Sequence, residues 1–170
     1  SFDKNKQPRP EYILILASYK TLDNYDWWQS LRITDEIYEV FTRQVAEPAQ
    51  EAIIKTNLKS LDAIIDSVSS QVQLQYEESP YPTWVNLRLA VEPAHISEVI
   101  SGIKLKLFDN AINAVEAPNI LIAGCGTGQH SIAAAARFKG SKVLAIDLSL
   151  SSLAYAKRKS KEFCVENIEY

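Results

Sequence analysis

The stretch NILIAGCGTGQHSIAAAARF, residues 119–138, constrains the fold of this chain more than any other. Three of its glycines, Gly124, Gly126 and Gly128, fall in one pentapeptide between an apolar run and an alanine-rich run. The whole chain has only 5 glycines, so the cluster answers a local need. "NILIA" is short and apolar with no helical period, which predicts a strand buried on both faces. "SIAAAARF" predicts a helix, with Gly140 placed to end it. "KVLAID" predicts a second buried strand, "SLSSLAYAKRKSKEF" a second helix with Ser149 as its N-cap, and "NIEY" the start of a third strand. Strand, helix, strand, helix, strand is the order of a parallel α/β unit.

A sharp strand-to-helix turn of this kind directs backbone N–H groups toward whatever lies beyond the strand. Glycine there permits positive φ and leaves room for a ligand to approach the backbone. In parallel sheets, ligands bind beyond the carboxyl ends of the strands. The next apolar run ends in Asp147, whose carboxylate can accept from both hydroxyls of a ribose or can cap the helix that follows. The glycine spacing is G-x-G-x-G, whereas a dinucleotide fingerprint is G-x-G-x-x-G.

These paired motifs, "ILIAGCGTG" and "VLAIDLS", resemble in order and spacing those of the class I S-adenosylmethionine-dependent methyltransferases. The resemblance implies a Rossmann-like domain that binds S-adenosylmethionine. Gly124, Cys125, Gly126, Thr127 and Gly128 would pass beside its methionine part, Asp147 would hold the ribose, and Leu148 would pack on the adenine. Many family members carry an acid two residues before the first glycine, where this chain has Ile122. Upstream, "YEESPYPTW" resembles a segment of bacterial methyltransferases that often carry tetratricopeptide repeats. The family sheet has seven strands, of which this chain supplies at most three. With no methionine at all, position 1 included, the chain is expected to be an N-terminal piece of a longer enzyme. The methyl acceptor and the catalytic residues are then expected beyond Tyr170.

The expected organisation is a helical region over residues 1–118 followed by the start of the α/β domain over 119–170. The first ten residues, with Pro8 and Pro10, are expected to be weakly tied down. "EYILILASYKTL" fits a helix or a strand, and helix is preferred. Thr34 caps a helix with Ile37, Val40, Phe41 and Val45 on one face. Pro48 reads as the first position of another, striped by Ala49, Ile53, Ile54, Leu58 and Leu61. Asp66 or Ser67 caps a third, with Val68, Val72 and Tyr76 aligned, so residues 34–78 are expected to form a small bundle. Residues 83–95 read as extended or irregular. Residues 96–114 read as one or two helices, although "IKLKLF" alternates like a strand.

Tyr76, Tyr81 and Trp84 gather near two prolines, where they either pack the helices onto the α/β unit or cover a pocket as a lid. Cys125 reads as a small loop residue, with nucleophile as the lesser alternative because no base lies near it in sequence. His130 either lines the pocket or is solvated, and His95 reads as a loop residue. Lys157, Arg158, Lys159 and Lys161 read as the wet face of a helix. The net charge of -3 gives no global pull toward nucleic acid or an acidic membrane. No run is long and apolar enough to span a bilayer, no signal peptide opens the sequence, and 2 cysteines make neither a disulfide framework nor, with two histidines, a metal set. A cytoplasmic setting is expected. The competing functional expectation is a helical interaction module attached to a degenerate or incomplete nucleotide fold.

Overall fold

A computed structural model describes residues 7–60 and 66–170, so the stripe residue Leu61 and the first six residues lie outside the description. The chain divides into two compact units, residues 1–53 and 54–170.

In the first unit, α1 (Pro10–Tyr19) carries Pro10 at its start, where the missing N–H costs nothing. α2 (Asp35–Phe41) begins after Thr34, whose backbone is extended but whose hydroxyl makes no capping bond. Ile13, Ala17, Leu22, Ile37 and Val45 form the core, flanked by Trp27, Trp28 and Phe41. Pro48 does not open a separate helix. α2 runs through a π-helical turn, Thr42–Ala46, straight into α3 (Glu47–Thr56). Proline cannot donate to the carbonyl four residues back, here Gln44, and its ring crowds that carbonyl. A wider π turn just before it accommodates both problems without a break. The Gln44 side chain braces the same region, donating to the Ala17 carbonyl at 3.1 Å and accepting from the Leu22 N–H at 3.0 Å.

The second unit holds α4 (Ser67–Glu78), α5 (Ile96–Gly102), β1 (Asn119–Ala123), α6 (Gln129–Arg137), β2 (Lys142–Ile146), α7 (Leu150–Glu162) and β3 (Ile168–Glu169). Asp66 caps α4 by accepting from the Ser69 N–H at 2.7 Å. Residues 34–78, expected to form one small bundle, are divided between the two units, and within the second α4 packs on α7. Its Val68–Val72–Tyr76 stripe stays exposed. Residues 83–95 are irregular as expected, and "IKLKLF" is neither helix nor strand.

The sheet is parallel in the order β1-β2-β3, with Asn119 opposite Lys142 and Ala123 opposite Ile146. Both crossovers step the same way across the sheet, and right-handed crossovers then put both helices on one face. Ile122, Val143 and Ala145 accordingly meet Ala134 and Ala135 of α6 and Leu153 of α7 in a single core. The expectation of strands buried on both faces fails for the same reason: Leu121 and Leu144, on the opposite face, are 62% and 45% exposed. α6 ends before Gly140, which serves instead in the turn closed by the Ser141 N–H to the Phe138 carbonyl. Among the described residues, no helix is long and apolar enough to cross a membrane.

Candidate functional site

β1 and β2 end side by side, and their ends are tied together. The N–H groups of Gly124 and Cys125 both donate to the carbonyl of Ile146, at 2.8 and 3.1 Å. The chain then turns back through the Gly128 N–H to the Cys125 carbonyl at 3.0 Å and enters α6. Gly124, Gly126 and Gly128 all take positive φ, +73°, +52° and +87°, which explains why this turn is built from glycine.

The three glycines differ in what surrounds them. A Cβ at Gly124 or Gly126 would meet nothing within 4 Å, whereas one at Gly128 would lie 2.6 Å from the Cβ of Ala156. Gly124 and Gly126 therefore leave an open approach to the backbone. Gly128 allows the start of α6 to pack against α7.

Asp147 links the two motifs. One carboxylate oxygen accepts from the Gly126 N–H at 2.7 Å and the other from the Ser149 N–H at 3.0 Å. The N-cap of α7 is Ser149, whose hydroxyl oxygen accepts from the Ser152 N–H at 3.0 Å, so the capping role considered for Asp147 falls to its neighbour. A carboxylate has about four acceptor positions, and two backbone bonds leave one on each oxygen. Leu148 follows and is 44% exposed. The structure thus gathers Gly124, Cys125, Gly126, Thr127, Gly128, Asp147 and Leu148 at one edge of the sheet.

Cys125 is buried, and burial together with the nearby Asp147 charge pushes its thiol up to about 12. A neutral thiol at neutral pH is a poor nucleophile. His130, on the first turn of α6, is exposed. Among the described residues no group of three His, Cys, Asp or Glu side chains could hold a metal ion.

The three aromatic residues near the prolines differ in exposure. Tyr76 and Tyr81 are exposed, while Trp84 is buried against Tyr155 and Phe163. The sequence reading missed a direct tie: the Trp84 Nε1–H donates to the carbonyl of Thr127, inside the glycine loop, at 3.1 Å. The signal available was the density of Pro and aromatic residues in "YEESPYPTW". The basic run on α7 also departs from expectation. Arg158 and Lys159 are buried, with Lys159 Nζ 5.0 Å from the Trp84 ring centroid and Arg158 the same distance from that of Tyr155.

A parallel strand–helix unit with a glycine turn and an acid at its carboxyl edge places that edge where open α/β sheets take up ligands. A family model described as a methyltransferase domain matches residues 120–170. The match takes in the whole glycine loop, Asp147 and all three strands but for Asn119, and it includes nothing from the helices before them. A search of curated proteins found no match to the chain.

Proposed function

We propose that this chain carries the cofactor-binding part of a class I S-adenosylmethionine-dependent methyltransferase with a Rossmann-like core. The observation that supports the reading best is the bond between the motifs: the Gly126 N–H donates to Asp147, so loop and acid form one edge. The remaining support is the methyltransferase-domain match over the same residues. That match does not favour the interaction-module alternative.

The residues fit the cofactor on three counts. Gly124 and Gly126 leave the space that a side chain would fill. Asp147 keeps one acceptor position on each oxygen, which suits the two adjacent hydroxyls of a ribose. Leu148 offers an exposed apolar surface beside it for a purine. S-adenosylmethionine, when bound, supplies an electrophilic methyl on sulfur to a nucleophilic acceptor. The chain's own residues bind and orient, and alignment of this kind supplies much of the rate without a reactive side chain. Cys125, held neutral by burial, takes no covalent part. The likeness of "YEESPYPTW" to bacterial enzymes with tetratricopeptide repeats extends the reading without choosing an acceptor.

Calorimetric titration with S-adenosylhomocysteine and, separately, with NAD tests the assignment. Saturable binding of the first with none of the second is the expected result. NAD binding that S-adenosylhomocysteine does not displace would overturn it.

A further inference from the structure

The segment from Gln73 to Val85 touches both halves of the candidate site, although it lies outside the matched residues. At its start, Gln73 Nε2 donates to the Leu148 carbonyl at 3.1 Å, and the Ser149 hydroxyl donates to the Tyr76 carbonyl at 3.1 Å. Glu77 then sits at the N-terminus of α7. Its carboxylate accepts from the Leu150 N–H, from the Ser151 N–H at 3.2 Å and from the Ser151 hydroxyl at 2.8 Å. Lys55 is its counter-ion. First-turn amides have no partner within their own helix, and a negative charge is favoured beside them. Burial pushes the Glu77 carboxyl up, but its bonds to Lys55 and Ser151 outweigh that and hold it below the ordinary carboxylate range.

At the other end the segment grips the glycine loop. The Thr127 hydroxyl donates to the Pro82 carbonyl at 2.5 Å, and the Trp84 Nε1–H donates to the Thr127 carbonyl at 3.1 Å. Trp84 is itself fixed. Its N–H donates to the Tyr155 hydroxyl at 2.8 Å and its carbonyl accepts from that hydroxyl. Lys159 lies over its ring and donates to the Val85 carbonyl at 3.0 Å. Each motif thus has its own anchor on the segment. A loop ordered before the ligand arrives need not be ordered by it, and that preorganisation raises affinity.

We propose that Trp84 and Glu77 are positioning residues for the cofactor edge: Trp84 holds the glycine loop through Thr127, and Glu77 holds the turn that carries Asp147 and Leu148. The inference rests on reading this edge as the S-adenosylmethionine site. Trp84→Phe keeps an aromatic ring and removes the Nε1–H. Glu77→Ala removes the oxygen that accepts from the Leu150 and Ser151 N–H groups and, because Glu77 is partly exposed, tests the second anchor where folding is least at risk. Both are made in the 170-residue chain. Each is followed by thermal denaturation, by amide hydrogen exchange, and by titration with S-adenosylhomocysteine at a temperature where the variant is folded.

One lost hydrogen bond of ordinary strength corresponds to about fivefold. Exchange should quicken by roughly that factor or more at residues 124–128 in Trp84→Phe and at 147–151 in Glu77→Ala, with affinity falling about fivefold or more. Unchanged affinity and unchanged local exchange, with only a lower melting temperature, would overturn the proposal and leave the segment as packing. If the unaltered chain fails to bind S-adenosylhomocysteine, the cofactor reading falls and exchange alone decides the anchoring. Local acceleration then supports it, and unchanged exchange overturns it.

Discussion

Gly128→Ala should be the most damaging alanine substitution in the glycine loop, for a reason unrelated to ligand binding. The added Cβ would lie 2.6 Å from the Cβ and 3.1 Å from the Cα of Ala156, and Ala156 is fully buried in α7. Neither atom is the tip of a flexible side chain, so helix or loop must move. Overpacking of this kind costs about 1–3 kcal/mol. The backbone adds its own term, because φ at Gly128 is +87° and left-handed conformation costs an L-residue about 1–2 kcal/mol. Together the change should cost about 2–5 kcal/mol, a large part of the roughly 5–15 kcal/mol that holds a domain folded. Gly124→Ala carries only the backbone term, about 1–2 kcal/mol, because nothing lies within 4 Å of its Cβ position. Urea denaturation of both variants gives the comparison. The deciding arm is Ala156→Gly, which costs about 1 kcal/mol by helix propensity but removes the methyl that Gly128→Ala strikes. A double-mutant cycle should show a favourable coupling of about 1–3 kcal/mol. Equal losses for Gly124→Ala and Gly128→Ala, or no coupling in the cycle, would refute the claim that Gly128 exists for packing of α6 on α7.

Asp147→Ala should weaken S-adenosylhomocysteine binding by roughly one to three powers of ten. It should also lower stability by about 1–3 kcal/mol, because the Gly126 and Ser149 amides lose their acceptor; binding loss with unchanged denaturation would show that these backbone bonds carry no weight. Cys164 is exposed and Cys125 buried, so iodoacetamide should label Cys164 first while Cys125 stays protected through pH 9. The thiol of Cys125 is raised from 9.0 to about 12, so its contribution to stability is complete below pH 9 and is lost as pH rises toward 12; Cys125→Ala should flatten that alkaline decline in a denaturation series. Lys159→Ala should cost about 2–3 kcal/mol, because Lys159 is 3% exposed and bonds the Val85 carbonyl and Glu162. Lys161→Ala, at an exposed position, should fall within about 0.5 kcal/mol of the parent; equal losses for the two lysines would contradict the buried placement.

The glycine loop and Asp147 were legible in the sequence because their geometry is local. A strand's length, the turn residues and the following cap fix where such groups emerge, and Ser149 and Asp66 cap as their residue types suggest. Pro48 misled because proline usually marks a boundary, whereas here a π turn absorbs it. Lys159 and Arg158 looked solvated because their shelter comes from far along the chain: Trp84 meets the helix 71 residues later, at Tyr155. Periodicity cannot register a cation folded over an aromatic ring from another segment. α4 misled in the same way. Its apolar stripe suggested a bundle, but its polar residues Gln73 and Glu77 are what dock, onto the start of α7. The open sheet face escaped because apolar alternation within "NILIA" and "KVLAI" is invisible when both strand faces are apolar.

On the proposed function, an adenosyl cofactor binds at the edge that joins the glycine loop to Asp147. Amide chemical-shift mapping of the isotopically labelled chain during titration with S-adenosylhomocysteine tests it most directly. The largest shifts should fall on Gly124, Gly126, Thr127 and Gly128 and on Asp147 and Leu148, and should saturate together with one dissociation constant. Saturable shifts confined to another surface, or none at these residues at millimolar ligand, would mean that this edge is not the cofactor site.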